Sequence, residues 1–420
     1  MTVPVSGPAV TGPLRIAITA GLATGGSASH VIALAEGCRS GGMAVCLLAP
    51  APTLALLGRG TAGSDSAGSG MAGGGMAGGD MTASDMTASD TAGGDTPIET
   101  FAVRIGERPR PVSDAREVAR LRHWLRSWRP DVVHAHGVRA GAFAALAIGK
   151  PERLPALVVT VHNAPPAGRQ GRLVYRVLER ICARRAQLVL SASADLAARM
   201  RAAGAAEVQQ FDVPAPATAQ PSDAELAGAG GDIDAGGRPV VLAVGRLAEQ
   251  KGMDILIDAA GRWRDRDPQP RTVIAGDGPL AGALRARASR VQADAVLLGP
   301  RTDVPALLEL ADVVVVPSRW EARALILQEA MRAGKPIVAT RVGGTPELVG
   351  GASQHGECAL LVPPEDPAAL ATAVTAVLDD DRLAARLRLA ARTRSASFPT
   401  EKEVVAYVMS IYERLAVSRS

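Results

Sequence analysis

Apolar positions along the chain fall mainly in short, nearly unbroken runs. In the first half these are residues 14–19 (LRIAIT), 44–48 (AVCLL), 130–137 (PDVVHAHG), 157–163 (LVVTVHN) and 188–193 (LVLSAS). In the second half they are residues 239–244 (PVVLAV), 271–275 (RTVIA), 295–298 (AVLL), 312–316 (DVVVV), 336–340 (PIVAT) and about 359–362 (ALLV). Runs of this length, rich in Val, Leu and Ile, read as strands buried on both faces of a parallel sheet. Between them lie helical patterns. Residues 114–129, for example, place Val118, Leu121, Leu125 and Trp128 on one face. Residues 28–40, 139–149, 172–185, 195–203, 325–332, 367–395 and 402–415 are also expected to be helical. Alternating strand and helix predicts α/β domains built on parallel sheets.

Two stretches interrupt the series. Residues 60–96 are low in complexity, with MAGG and MTASD each repeated. They hold too little apolar surface to offset chain entropy and are expected to form a disordered insertion. Residues 213–238 are rich in Pro, Ala and Gly and read as a linker. The expected organisation is a Rossmann-like N-terminal domain over 1–212, a linker over 213–238 and a second Rossmann-like domain over 239–398. A C-terminal helix over 399–420 has the option of packing back on the first domain.

Composition narrows the partners. A net charge of +4 over 420 residues is too small to argue for nucleic acid. The excess is uneven: residues 1–215 carry 22 Lys and Arg against 16 Asp and Glu. The Arg-rich helices at 114–129 and 172–185 read first as solvated faces, and alternatively as a surface for an anionic membrane or a phosphorylated acceptor. The four cysteines form no CxxC pair, which suggests neither a zinc site nor a disulfide framework and points to a reducing cytoplasm. No signal peptide and no run of membrane-spanning length stands out. The expected location is the cytoplasm, with the inner face of the membrane as a peripheral option.

Candidate chemistry gathers where strands end, which is where open α/β sheets bind ligands. Gly25 and Gly26 follow the first strand. Gly245-Arg246 and Lys251-Gly252 follow the strand at 239–244, and two cations there can neutralise a leaving diphosphate. Gly276-Asp277-Gly278-Pro279 and Arg301 end the next two strands, with Arg301 placed to flank a nucleobase. Glu321 sits in a strand-to-helix loop and Glu329 on the helix that follows. Gly343 and Gly344 precede Thr345, a good N-cap, and leave backbone amides open to phosphate. His162 ends a strand of the first half, where a packing role and a functional one compete. His134 and His136 are expected on opposite sides of their strand, which argues against a metal site made of that pair. The DxD-like Asp232-Ile233-Asp234 and Asp265-Arg266-Asp267 are rejected as metal sites because they fall in the linker and in a loop.

In this order and spacing the second-half motifs resemble the donor half of the family 4 glycosyltransferases. They are Gly245-Arg246 with Lys251-Gly252, Gly276-Asp277-Gly278-Pro279, Glu321 with Glu329-Ala330, Gly334-x-Pro336-x-Val338-Ala339-Thr340, and Gly343-Gly344-x-Pro346-Glu347. The N-terminal half matches more loosely, through Gly25-Gly26, residues 131–136 and Thr160-Val161-His162. The resemblance implies the GT-B fold, two Rossmann-like domains facing a central cleft. It implies sugar transfer from a nucleotide diphosphate sugar with retention, without metal or cofactor, to a cell-envelope or small-metabolite acceptor. Carried over residue by residue, Arg246 and Lys251 would bind the diphosphate, Glu329 the ribose and Glu321 the donor sugar. Gly25, Gly26, Gly245, Gly276, Gly278, Arg301, Gly343 and Gly344 would line the donor, and His162 would face the reacting centre.

The chain departs from the family twice. Ala322-Arg323 stands where Gly usually follows the first acid, and Val213-Pro214-Ala215-Pro216 replaces the usual Pro-Asn-Gly between domains. A sugar-nucleotide 2-epimerase and a sugar-nucleotide-binding protein with a degenerate site remain the alternatives.

Overall fold

The computed structural model describes residues 12–21, 26–57, 97–106, 110–149, 155–163, 169–216, 219–350 and 358–417. The segment expected as a disordered insertion, 60–96, lies outside them. The chain divides into two compact units. One takes the described residues of Met1–Ala192, Leu196–Phe211 and Thr400–Ser420; the other takes Ser193–Asp195 and Asp212–Pro399.

The first unit holds β1 (Arg15–Ala20), β2 (Ala44–Ala49), β3 (Glu99–Ala102), β4 (Val132–His136), β5 (Ala156–Val161), β6 (Leu188–Ser191) and β7 (Val208–Gln210). They form a seven-stranded parallel sheet in the order β3-β2-β1-β4-β5-β6-β7. The two edge strands, β3 and β7, escape the apolar pattern. An edge strand is covered less, so ETFA and VQQ carry polar residues where the centre carries Val and Leu.

The C-terminal helix Glu401–Val417 belongs to this unit and packs on the helix Gly26–Ser40. Close approach depends on glycine there. A Cβ at Gly37 would lie 2.4 Å from Val405 Cγ1, part of a short, branched side chain with little room to move. Deeper in, Tyr412 of the C-terminal helix bonds His134 of β4.

The second unit holds β8 (Val240–Val244), β9 (Arg271–Ala275), β10 (Ala295–Gly299), β11 (Val313–Val316), β12 (Ile337–Thr340) and β13 (Leu360–Val362). Its sheet is parallel, in the order β10-β9-β8-β11-β12-β13. Alternate residues feed separate cores on the two faces. Val314, Val316, Leu242 and Ala339 go to one, and Val313, Val315, Val241 and Val338 to the other. This explains why the runs are apolar at every position.

Residues 213–238 are not simply a linker. They contain the helix Asp223–Ile233, opened by a reciprocal Ser222–Glu225 capping box, with Ala229 and Ile233 in the core. Its Ala- and Gly-rich composition masks it, because Gly lowers helix propensity. It packs on the helix Val304–Leu310. The expected helix over 367–395 is divided at Asp380, whose carboxylate caps the second segment.

Candidate active site

The site of the second unit is built where β8, β9, β11 and β12 end. After β8 the chain makes a 3-10 turn, Glu249–Lys251, and reverses through Gly252 in the left-handed region, at φ +63°. A Cβ at Gly252 would lie 2.0 Å from Pro317 O, so this glycine lets the segment press against the loop after β11. That contact brings Lys251 Nζ to 2.6 Å from Glu321 Oε1. Ser318 Oγ donates to the same oxygen at 2.7 Å. Thr340 Oγ1 donates in turn to Ser318 O at 2.5 Å. Glu321 is buried while Lys251 is partly exposed. Oε2 of Glu321 makes no hydrogen bond with any described residue.

Arg319, which the motif reading missed, holds these two segments together. Its Nη1 donates to Glu249 O at 2.7 Å and Asp254 Oδ1 at 2.9 Å. Nη2 donates to Asp254 Oδ2 at 2.8 Å and Glu365 Oε2 at 3.2 Å. Nε donates to Glu365 Oε1 at 2.5 Å. All five N–H donors of the guanidinium are satisfied. The Arg319 amide also donates to Gln250 O, and Gln250 Nε2 to Trp320 O. The hydrogen bond from Arg319, more than its charge, holds the Asp254 carboxyl below its usual range. A lone Arg two residues before an acid gives no sequence signal; Asp254 and Glu365 identify it only once folding brings them close.

The glycines after β12 serve the same loop. Gly343, at φ +48°, lies so close to Glu321 O that an added Cβ would stand 2.0 Å away. Gly344 N donates to Glu321 O at 2.9 Å. The expectation that both glycines offer free amides to phosphate is therefore corrected at Gly344. Gly245 and Gly276 also direct their amides to protein carbonyls, Ala275 O and Gly299 O. The Gly278 amide faces the Asp277 carboxylate. Thr345 is the first residue of the helix Thr345–Leu348 and Gly344 its N-cap; Thr345 Oγ1 is buried with no partner among the described residues.

Arg301 is likewise committed. It forms ion pairs with Asp303 and with Asp232 of the helix Asp223–Ile233, and these raise its pKa. Two carboxylates already neutralise it, which removes it from the candidates for free donor contact. By contrast, Arg246 is exposed and makes no side-chain hydrogen bond or ion pair with described residues. The carboxylate of Glu329, half-buried on the helix Leu325–Arg332, also has no such partner. Burial raises its pKa, and Arg332 pulls the other way.

Neighbouring side chains of that helix anchor it. Gln328 accepts from Ala215 N and donates to Val213 O. Arg332 donates to Ala215 O and Pro216 O. Arg323, which follows the family departure at Ala322, points to Asp212, 2.8 Å away.

In the first unit Gly25 lies outside the described residues, and Gly26 opens the helix Gly26–Ser40. His162 follows β5, and burial lowers its pKa to about 4. His134 and His136 lie on the same face of β4, with ring centroids 4.3 Å apart. The expectation of opposite sides is wrong, since side chains two residues apart on a strand share a face. His30 joins them, 5.6 Å from His136. Nε2 of His30 and of His136 are buried without a partner among the described residues, while His134 bonds both Tyr412 and Thr160. Among the described residues no group of three or more His, Cys, Asp or Glu is arranged to hold a metal ion.

The parallel sheets and the polar strand ends of the second unit define a GT-B type glycosyltransferase architecture. A model described as "Glycosyl transferases group 1" matches residues 238–380, and one described as "Glycosyl transferase 4-like domain" matches residues 25–216. The chain belongs to this family 4-like group of glycosyltransferases.

Glycogen synthase from Mycobacterium tuberculosis is 34% identical over 286 residues, 65% of this chain and 66% of that protein. D-inositol 3-phosphate glycosyltransferase from Jonesia denitrificans is 35% identical over 193 residues, 43% of this chain and 44% of that protein. The chain thus spans less than two thirds of the length of these relatives. The crystal structure of Anabaena Alr3699/HepE in complex with UDP and glucose shares the fold. Its TM-score is 0.72 at 21% identity, covering 96% of this chain and 99% of that one. No helix among the described residues is long and apolar enough to cross a membrane.

Proposed function

We propose that the protein transfers a sugar from a nucleotide diphosphate sugar to a hydroxyl acceptor, with retention and without a metal ion. The observation that carries this reading is the set of groups left open at the strand ends of the second unit. These are the Arg246 guanidinium, Oε2 of Glu321 and the Glu329 carboxylate, with Lys251 beside them. In the reaction the bond from the anomeric carbon to the diphosphate oxygen breaks, and one to the acceptor oxygen forms on the same face. The acceptor proton passes to the departing diphosphate oxygen, so no strong protein base is needed. Arg246 and Lys251 offset the charge that develops on the diphosphate. Glu329 accepts from the ribose hydroxyls, and Glu321 accepts from a donor-sugar hydroxyl through Oε2. His162, whose burial favours the neutral imidazole, orients rather than removes a proton.

The acceptor in this reading is a cell-envelope component or a small metabolite, and the basic helices of the first unit meet an anionic membrane. Named relatives that act on inositol phosphate and on glycogen support a polar, hydroxyl-rich acceptor.

A thermal-shift panel of UDP-, GDP- and ADP-sugars tests donor binding. A ligand at one hundred times its Kd stabilises by about 2.7 kcal/mol. Glu329→Gln should then weaken binding of the stabilising nucleotide sugar by about tenfold to about a hundredfold, because a hydrogen bond to a charged group contributes about 1.5–3 kcal/mol. Unchanged affinity sinks the assignment. Product analysis with donor alone separates transfer from 2-epimerisation. Tight binding without turnover across an acceptor panel points to the binding protein.

A further inference from the structure

One helix of the first unit presents two stripes to solvent. The helix Arg169–Arg185 places Leu173, Val177 and Ile181 four residues apart, and beside them Arg172, Arg176, Arg180 and Arg184, also four apart. Leu173 is 64% exposed and Val177 53%. With Val174, and Leu146 of the neighbouring helix Val138–Ile148, they make four of the eight large apolar side chains exposed among the described residues. Half of those side chains therefore gather at one place. The stripes border a groove of about 530 Å³ whose far wall is Ala145 and Leu146.

Among the described residues the arginine row on this face has no internal partner. Arg172, Arg176 and Arg180 make no hydrogen bond or ion pair with described residues. The helix's single acid, Glu179, is buried and held by Arg199. Like charges four residues apart on a helix oppose its formation, so folding does not account for the row. The other basic helix, Pro111–Trp128, differs. There Arg122 binds the carbonyls of Ala147 and Leu146, and Arg120 lies over Phe101 and near Glu117.

We propose that the Arg169–Arg185 helix and its groove dock on an anionic phospholipid surface. Leu173 and Val177 enter the boundary between headgroups and acyl chains, while the arginine row reaches lipid phosphates. A bilayer matches both stripes, which run together from Arg172 to Arg184. This deepens the membrane contact suggested above, yet its test reads lipid binding alone, so its failure leaves the transfer reaction standing.

The full chain is sedimented with vesicles of phosphatidylcholine, with and without about 30% phosphatidylglycerol. Binding is expected only with the anionic lipid, falling steeply as salt rises from about 0.1 to about 0.5 M. The double variants Arg176→Glu/Arg180→Glu and Leu173→Ser/Val177→Ser should each lower binding about tenfold or more, with melting curves checking that both fold. No binding to anionic vesicles, or binding that survives loss of either stripe, overturns the proposal. So does a concentration-dependent dimer that Leu173→Ser/Val177→Ser abolishes while vesicles remain unbound.

Discussion

Lys251 Nζ and Glu321 Oε1 lie 2.6 Å apart, across seventy positions of sequence, and Glu321 is the buried partner. The two groups that the motifs single out for a phosphate and for a sugar are thus each other's first contact. Removing the cation leaves a buried carboxylate with only Ser318 to satisfy it. Lys251→Met should destabilise the second unit by about 1–3 kcal/mol, less than a fully buried pair because Lys251 is partly exposed. Adding Glu321→Gln should return part of that loss. A double-mutant cycle on the unfolding midpoint checks this; strictly additive effects would show that the pair is not coupled.

Arg319 ties the Lys251 segment to the Glu321 loop through five donors in one plane. Lysine supplies a point charge and three donors, so it cannot span the same partners. Arg319→Lys should therefore behave nearly as badly as Arg319→Met. Both should lower kcat/KM for sugar transfer by about tenfold or more, since loose placement of charged groups weakens transition-state stabilisation. Wild-type-like turnover in Arg319→Lys would mean that charge alone suffices there.

The central strands of both sheets were legible because a residue buried on either face must be apolar, and an unbroken aliphatic run of four to six residues suits little else in an α/β chain. The helix Leu325–Arg332, with Glu321 ahead of it and Glu329 on it, was legible through motif spacing. The edge strands β3 and β7 and the helix Asp223–Ile233 were not, because edge pairing tolerates polar residues and a stretch rich in Ala and Gly reads as a linker. At the site, residue types were readable but their partners were not. Gly343 and Gly344 look like a phosphate cradle in sequence; in the fold they make room for the backbone at Glu321 and Ala322. Arg301 looks like a free cation until Asp232 reaches it from a stretch read as linker.

That pairing makes Arg301 a test of site against scaffold. With Asp303 and Asp232 already on the guanidinium, Arg301→Gln should cost about 1 kcal/mol of stability and leave nucleotide affinity within about twofold. Arg246→Gln, which frees no carboxylate among the described residues, should do the reverse: little change in stability and clear loss of donor binding. Calorimetric titration with the stabilising nucleotide and a melting curve read both. A large affinity loss in Arg301→Gln would return that residue to the donor site.

The histidine cluster predicts an acid-sensitive first unit. Burial lowers His30 and His162 to about 4 and His134 to about 3, and neighbouring imidazoles add to the effect on His30 and His134. Each folded pKa lies below the unfolded value of about 6.5, so below that pH the unfolded chain binds more protons than the folded one. Stability is therefore fully present above about pH 6.5 and falls as the pH drops towards 4. Each histidine contributes a slope approaching about 1.4 kcal/mol per pH unit. Melting midpoints between about pH 5 and about pH 7.5 should drop on the acid side. Replacing His30 by Phe, which removes one titrating ring and its unpartnered Nε2, should flatten the drop. An unchanged slope in that variant would show that groups elsewhere carry the acid sensitivity.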